Sequence, residues 1–237
     1  MTKKKTKTKK TPSFQPVKWL KRWILRVVLL SVIIIFGVIA AHSLFNPGQG
    51  IYMKQEARRL GSVDHLWVPF ENIAPVMARS VVAAEDANFC THWGFDMKAI
   101  RAALADGTGR GASTLSQQVV KNTYLWHGRN WSRKALEAIM TPIVELLWSK
   151  RRILEVYLNV AEFDEGVFGV EAASQHYFGI PPSKLTATQA ARLAAVLPSP
   201  KKRSASRPTG LVRKRAAQIR DGAETIRRDG RANCFES

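Results

Sequence analysis

The chain has 237 residues, 46% of them apolar, and 37 Lys and Arg against 18 Asp and Glu give it a formal charge of +19. This length excludes two large catalytic domains but suffices for one domain with a buried core and appendages. The apolar content and seven Trp exclude an intrinsically disordered chain. A charge of this size is typical of nucleic-acid binders, so its location along the chain decides what it indicates.

Ten Lys and Arg and no acid lie within residues 1–26, and an uncharged apolar stretch, 27–45, follows them. The stretch is long enough to cross a bilayer core of roughly 30 Å as a helix. Cations on one flank alone predict a cytoplasmic N-terminus and an exported remainder, with Trp19 and Trp23 at the membrane interface. We expect a basic cytoplasmic tail over 1–26 and an uncleaved transmembrane helix over 27–45. The alternatives are a cleaved signal sequence ending near Ala40 and a buried core helix.

Beyond residue 50 the apolar residues recur at helical spacing, and no stretch alternates with period two. The exported domain, 50–220, is therefore predicted to be mainly α. Pro142 is expected to kink or divide one of its helices, and Thr186 and Gln189 form the pattern of a capping box. The predicted helices lie near residues 73–84, 132–149, 153–161, 186–198 and 211–228.

The C-terminal region from Lys201 onward carries eleven Lys and Arg against four Asp and Glu. This region is either a solvated cationic face or a surface for anionic lipid or glycan-linked phosphate. We expect its last part, residues 221–237, to form a basic tail. Cys90 and Cys234 show no metal-ligand spacing. In an exported domain these two cysteines either pair or stay free.

Glu85 directly follows the apolar residues 81–84, so it should lie at the edge of the buried face of a helix. A carboxylate beside apolar surface has its charged form disfavoured, which suits a group that takes up a proton. The alternative is a helix-end carboxylate that pairs with His92.

A second polar segment, 109–122, consists of a glycine turn leading into a helix with Ser113 and Thr114 at its start. The free backbone N–H groups of such a start predict a site for an anionic oxygen. Further donors follow over the next two turns: Gln117, Gln118, Lys121 and Asn122. The alternative is an ordinary capped helix.

Arg133, Lys134 and Glu137 share one helical face, because their spacings are i, i+4 and i, i+3. They are either a surface ion pair or a second carboxylate among cations that bind phosphate. In the following segment, Glu155 and Asn159 are expected to fix the glycine loop behind them.

Four motifs therefore occur in order: Glu85-Asp86-x-x-Phe89-x-x-His92-x-Gly94, Gly111-Ala-Ser-Thr-x-Ser-Gln-Gln-x-x-Lys-Asn122, Arg133-Lys134-x-x-Glu137 and Ile153-Leu-Glu-x-Tyr-Leu-Asn159. Together they resemble the motifs of glycosyltransferase family 51, the peptidoglycan glycosyltransferases, over roughly residues 50–220. The resemblance implies a mainly α, lysozyme-like domain on a single N-terminal transmembrane helix. Ala112 replaces a glycine common in the family, and Cys90 stands where other residues are usual.

The resemblance also implies an activity. Family members polymerise lipid II into glycan strands, inverting an undecaprenyl-pyrophosphate-linked donor to a β-1,4 bond and releasing undecaprenyl pyrophosphate. No transpeptidase activity is expected, because the string Ser199-x-x-Lys202 is not accompanied by Lys-Thr-Gly.

By resemblance, Glu85 and Glu137 are the catalytic residues, with Glu85 as the base that deprotonates the acceptor hydroxyl. Glu137 either orients cations or holds a divalent ion, Mg²⁺ or Mn²⁺, at the pyrophosphate; no obligatory cofactor is expected. The expected substrate-binding residues are Asp86, Phe89, His92, Ser113, Thr114, Gln117, Gln118, Lys121, Asn122, Arg133 and Lys134.

The implied partners are lipid II, the lipid-linked glycan chain, membrane lipids and other cell-wall synthesis proteins, with no nucleic acid. The implied location is the inner (cytoplasmic) membrane, crossed once, with the catalytic domain in the periplasm. Three other functions are possible: a lytic transglycosylase, a non-catalytic scaffold and a nucleic-acid binder. A lytic transglycosylase has little use for the cations Lys121, Arg133 and Lys134. A non-catalytic scaffold has no need of the carboxylates Glu85 and Glu137.

Overall fold

The structure is a computed structural model that describes residues 15–106, 113–128 and 130–236. The chain divides into two units, Met1–Val38 and Ile39–Ser237. The helices of the described residues are α1 Pro16–His42, α2 Ile51–Leu60, α3 Pro75–Glu85, α4 Met97–Asp106, α5 Leu115–Tyr124, α6 Trp131–Leu147, α7 Lys150–Val160, α8 Gly169–Phe178, α9 Ala187–Val196, α10 Gly210–Arg228 and α11 Asn233–Glu236. The strands are β1 Asp64–His65, β2 Glu162–Asp164 and β3 Val167–Phe168.

The first unit consists, where it is described, of most of α1. This helix is long and apolar enough to cross a membrane, a property that a signal sequence shares. The predicted span, 27–45, lies mostly within it, but α1 begins earlier, at Pro16. The C-terminal part of the predicted tail 1–26 is therefore helical, which suits Lys and Arg side chains whose stems follow an apolar surface. Residues 1–14 of that tail lie outside the described residues.

The end of α1 belongs to the second unit, where it is hydrogen-bonded by Arg152. The Arg152 guanidinium donates hydrogen bonds to the carbonyl oxygens of His42, at 3.1 Å, and Phe45, at 2.8 Å. The last carbonyls of a helix have no partner inside the helix, so the bond to His42, the last residue of α1, satisfies a group that would otherwise need water. Arg152 also pairs with Glu155, at 2.8 Å, which keeps the guanidinium in place.

Two groups of helices form the core of the second unit. In the first, α3 packs against α9 and α10; in the second, α5 packs against α6 and α7. Apolar side chains from both groups are fully buried, as the helical spacing of the sequence predicts; examples are Met77, Val81, Leu115, Val119, Ile153, Leu154, Leu158 and Leu193. The prediction of a mainly α domain is confirmed.

The structure also contains a small sheet, in the order β1-β3-β2, that the sequence did not predict. β1 pairs parallel to β3, with Asp64 opposite Val167, and β2 pairs antiparallel to β3. Strands of two or three residues are too short to show an alternating pattern, so no periodicity could reveal them. The Asn159 side chain accepts from Val68 N, at 2.8 Å, and donates to Val68 O, at 2.9 Å, while Glu155 pairs with Arg152. These contacts fix the segment after β1, so the expectation that the two side chains fix the glycine loop behind them is not confirmed.

Local signals located the helix ends well. Thr114 with Gln117, and Thr186 with Gln189, both form complete capping boxes. Pro142 does not divide its helix, because α6 runs as one element over Trp131–Leu147. The glycine turn predicted at the start of the segment 109–122 lies outside the described residues.

The predicted domain boundary at residue 220 is wrong. It falls inside α10, which continues to Arg228 and buries Ala223 and Ile226. After α10, the short helix α11 buries Phe235, and Cys234 forms a disulfide with Cys90. Residues 221–236 are thus part of the folded domain and not a tail, because their apolar residues belong to its core.

Candidate active site

Glu85 is the last residue of α3, directly after four apolar residues that pack into or against the core. Its side chain is 14% exposed. Gln118 Nε2 donates a hydrogen bond to Glu85 Oε2 at 2.9 Å, and Arg215 Nη2 lies 4.0 Å from Oε1. Glu85 is therefore oriented through one oxygen by a neutral amide, which leaves the other oxygen beside a cation.

The side-chain carboxylate of Asp86 lies at the N-terminus of α5. Its Oδ2 accepts a hydrogen bond from Leu115 N at 3.0 Å, and its Oδ1 lies 2.9 Å from His92 Nε2. A carboxylate at a helix N-terminus is stabilised by the unpaired N–H groups and the helix dipole. The anion site predicted at this helix start is thus occupied by the carboxylate of Asp86. His92 pairs with Asp86 and not with Glu85, the pairing given above as an alternative.

Glu137 lies between two cations on α6. Arg133 Nη1 donates to Glu137 Oε2 at 2.7 Å, and Lys134 Nζ donates to Glu137 Oε1. The Glu137 side chain is 2% exposed, whereas that of Lys134 is 40% exposed. Lys134 Nζ also donates to Ser113 Oγ at 3.1 Å. The predicted arrangement on one helical face is confirmed, with the carboxylate buried beneath the cations.

Lys121 links the two carboxylates electrostatically. Burial lowers the pKa of its ammonium, while the charges of Glu137 and then Glu85 raise it and the charge of Arg133 lowers it. Lys121 lies three positions after Gln118, the hydrogen-bond partner of Glu85, on the same helix, α5, and residues at this spacing share a helical face. A partly desolvated ammonium in this position is suited to a second anion.

A cleft of about 370 Å³ opens beside these residues. It is lined by Gln118, Lys121 and Asn122 of α5 and by Lys201 and Lys202. The cleft thus continues from the partner of Glu85 into a strongly cationic region. Its other lining residues include Tyr52, His127, Tyr157, Glu162 and Ser199.

A family model described as transglycosylase matches residues 53–224. The chain belongs to the transglycosylase family. A biosynthetic peptidoglycan transglycosylase of Jannaschia sp. (strain CCS1) is 59% identical over 216 residues, covering 91% of this chain and 90% of the relative. One of Pseudomonas putida (strain GB-1) is 58% identical over 158 residues, 65% of this chain and 67% of the relative. One of Klebsiella oxytoca is 48% identical over 212 residues, 84% of this chain and 88% of the relative.

The transglycosylase site brings together most of the predicted residues with polar side chains. Glu85 meets Gln118, and Glu137 meets Arg133 and Lys134. Ser113 joins the cation cluster through Lys134, and Asn122 lines the cleft beside Lys121.

Other predicted substrate-binding residues are placed where they support the site and do not face it. Phe89 is 0% exposed, so its ring has no free surface for a substrate. Thr114 and Gln117, at 2% and 5% exposed, bond to each other in the capping box. Asp86 uses both carboxylate oxygens, one on His92 Nε2 and one on Leu115 N of α5. For Phe89, Thr114, Gln117 and Asp86 the prediction of direct substrate contact needs correction, because their surfaces or polar atoms are already occupied within the protein. Nδ1 of His92 is buried without a hydrogen-bond partner among the described residues, so substrate contact by His92 stays a prediction.

Two residues of the site were missed. Arg215 of α10 reaches the end of α3: its Nη2 lies 3.4 Å from Ala84 O, and its buried Nε has no hydrogen-bond partner among the described residues. Tyr157 is fully buried, and its hydroxyl lies 3.5 Å from Gln118 Oε1. Arg215 lies within a basic run, so no local signal distinguishes it. Tyr157 belongs to the fourth motif, but its place in a helical apolar pattern indicated a core residue.

The residues present do not fit a metal ion at Glu137. Both Glu137 oxygens are engaged by Arg133 and Lys134. Mg²⁺ takes several oxygen ligands in octahedral geometry, and no group of three or more His, Cys, Asp or Glu is placed to hold a metal within the described part of the chain. The positive charge at this position is supplied by the side chains of Arg133 and Lys134.

The position of Asp86 gives a testable consequence for stability. Asp86→Asn removes a buried charge from the start of α5, and we expect it to lower the free energy of unfolding by about 1–3 kcal/mol. Urea unfolding of the detergent-solubilised chain measures this, with the exposed Asp221→Asn as the control. Unchanged unfolding together with lost activity would return Asp86 to a direct role in substrate binding.

Proposed function

We propose that the protein polymerises lipid II into glycan strands, using a lipid-linked glycan chain as donor and releasing undecaprenyl pyrophosphate. The observation that carries this proposal is the placement of Lys121, which lines one cleft with Gln118, the hydrogen-bond partner of Glu85, and whose ammonium is influenced by the charges of both Glu85 and Glu137. It joins a candidate base to a cation cluster of a size suited to a pyrophosphate. The names of the relatives support the same function.

Glu85 is proposed to be the base for the acceptor hydroxyl. An inverting displacement needs a base on the side of the attacking group and assistance to the leaving group on the other. Gln118 fixes Glu85 Oε2 at 2.9 Å, so Oε1 is the oxygen left to accept a proton. Attack of the deprotonated hydroxyl on the donor sugar forms the glycosidic bond, while the bond to the pyrophosphate breaks.

Lys121, Arg133 and Lys134 are proposed to stabilise the departing pyrophosphate. Cations already fixed in place stabilise developing charge without reorganising during the reaction. Glu137 supplies that fixation, because it bonds to Arg133 and Lys134 from a buried position. The role of Glu137 is thus to orient the cations, the first of the two roles considered for it.

Polymerisation of purified lipid II by the detergent-solubilised chain tests the function, with strand products resolved by gel electrophoresis. We expect glycan strands to form. Solubilisation of mature peptidoglycan without polymerisation would indicate a lytic transglycosylase, and binding of lipid II without turnover a scaffold. Salt-dependent binding to DNA, measured with the same preparation, would indicate a nucleic-acid partner.

A Mg²⁺ or Mn²⁺ ion at the pyrophosphate stays a prediction, in which the phosphate oxygens and water would be its main ligands. Since three side-chain cations already face this position, we expect EDTA to lower the polymerisation rate by less than about tenfold. That is below the loss of roughly 10²–10³-fold on removing one preorganised donor. A rate abolished by EDTA and restored by Mg²⁺ or Mn²⁺ would make the ion essential.

We further propose that α1 anchors the protein in the inner membrane, with the N-terminus cytoplasmic and the catalytic domain periplasmic. The positive-inside rule supports this orientation, and tethering raises the effective concentration of a lipid-linked substrate. In spheroplasts, we expect added protease to cleave the C-terminal domain and to leave an N-terminal tag intact. Anionic membrane lipids and other cell-wall synthesis proteins are proposed as partners, and no nucleic acid.

A further inference from the structure

The loop that follows Glu85 is attached to the C-terminus of the chain. We call residues 86–92 the Glu85 loop and residues 231–236 the C-terminal segment. A disulfide between Cys90 and Cys234 joins the two across 144 positions of sequence. Cys90 lies only five positions after Glu85, so this covalent link ends close to the proposed base.

Non-covalent contacts join the same two segments on either side of the disulfide. Phe89 of the loop and Phe235 of the C-terminal segment are both 0% exposed, and their ring centroids are 6.4 Å apart. Arg231 Nη1 donates a hydrogen bond to Ala87 O at 3.0 Å. The loop is therefore held at three points: its backbone at Ala87, the ring of Phe89 and the sulfur of Cys90.

The C-terminal segment is in turn fixed to the helices around it. Glu236 Oε1 pairs with Arg79 Nη1 at 2.6 Å, and Arg79 belongs to α3, the helix that ends in Glu85. The carbonyl of Phe235 accepts from Arg151 Nη1 of α7 at 3.3 Å. The segment thus connects α3, α7 and the Glu85 loop in one set of contacts.

The other side of the loop rests on α5 through Asp86 and Leu115 N. Glu85 itself has a single side-chain hydrogen bond among the described residues, from Gln118. Its position is therefore set largely by the backbone on which it stands, between the end of α3 and the loop. A displaced base loses rate steeply, because a shift of about 1 Å can cost on the order of 10²-fold.

We propose that the C-terminal segment positions Glu85, with Cys90, Cys234 and Phe235 as positioning residues that act through the Glu85 loop. This proposal rests on the role proposed above for Glu85. It gives the C-terminal residues a task in the reaction although none of them reaches the cleft. It also makes turnover depend on the oxidation state of the disulfide.

Reduction of the full chain with dithiothreitol tests the proposal. Two electrons and two protons from the dithiol convert the disulfide into two thiols, and the reagent becomes a cyclic disulfide. We expect kcat for lipid II polymerisation to fall by about tenfold or more, with KM changed by less than about twofold, since the cleft itself is retained. Reoxidation should restore kcat.

The double variant Cys90→Ser/Cys234→Ser is the matched control. It should have the low kcat of the reduced protein and should not respond to dithiothreitol, which separates loss of the disulfide from other effects of the reagent. Unchanged kcat in both the reduced protein and the variant, with only a lower melting temperature, would overturn the proposal and leave the disulfide a purely stabilising bond.

Hydrogen exchange gives a readout that does not depend on activity. The amides of Phe89 and Thr91 are hydrogen-bonded within the loop, to Asp86 O and Asn88 O. We expect these two amides to exchange faster after reduction while the amides of α9 keep their protection. Equal exchange in oxidised and reduced protein would overturn the proposal. If oxidised protein failed to polymerise lipid II, the proposed function would fall, while exchange would still report whether the segment holds the loop.

Discussion

Glu85→Gln is expected to lower kcat for lipid II polymerisation by about 10²–10⁴-fold, the usual contribution of a general base. The amide has nearly the shape of the carboxylate but cannot accept the proton of the acceptor hydroxyl. Gln118, which donates to Glu85 Oε2, can still donate to the amide oxygen of the variant, so the end of α3 should keep its structure. The rate of strand formation from purified lipid II measures the effect.

Glu224→Gln is the matched control for this substitution. Glu224 is an exposed glutamate of α10 that pairs only with Arg227 and Arg228 among the described residues. Its replacement should leave both kcat and the melting temperature unchanged, because exposed ion pairs contribute little to stability. Turnover by Glu85→Gln close to that of Glu224→Gln would remove Glu85 from the role of base.

The parts of the site that sequence could predict are those governed by helical spacing. Arg133, Lys134 and Glu137 lie one turn apart on the same helix, so any helix over this stretch brings them together. Thr114 and Gln117 are likewise three positions apart, and the capping box follows from local chemistry. Glu85 was found because a carboxylate at the end of an apolar helical run is conspicuous.

Contacts between segments that are distant in the chain could not be predicted from the sequence. Asp86 reaches α5 across 29 positions, and Arg215 reaches Ala84 across 131. No periodicity encodes such pairings, because they depend on how helices pack after they have formed. The expectation of a free anion site at the start of α5 was wrong for this reason: the capped helix start was visible in the sequence, but the carboxylate that occupies it was not.

The end of the domain was misplaced for a related reason. Basic residues dominate the composition after residue 200, and composition alone suggests a solvated tail. In the structure, Val212, Ala216, Ile219, Ala223 and Ile226 form one buried stripe along α10, while the cations occupy its other faces. Periodicity was the better guide here, since an apolar stripe of this kind indicates a packed helix whatever its charge.

Arg133→Ala is expected to lower kcat/KM for lipid II polymerisation by about 10²–10³-fold, the typical loss on removing one preorganised donor. Arg133 bonds to a buried carboxylate on one side, and its side chain is only 11% exposed, so its charge acts in a partly desolvated place. Arg133→Lys should recover part of this loss, because a lysine keeps the charge but not the planar pair of donors.

Stability and catalysis must be separated in this test, because Arg133 also neutralises Glu137. Breaking a buried ion pair can cost about 3–5 kcal/mol, although Lys134 still pairs with Glu137 in the variant. The melting temperature is therefore measured beside activity, and the assay is run well below it. Arg227→Ala, which breaks an exposed pair with Glu224 on α10, controls for loss of one helical ion pair and should keep full activity. A change in Arg133→Ala confined to its melting temperature would reduce the cluster to a structural ion pair.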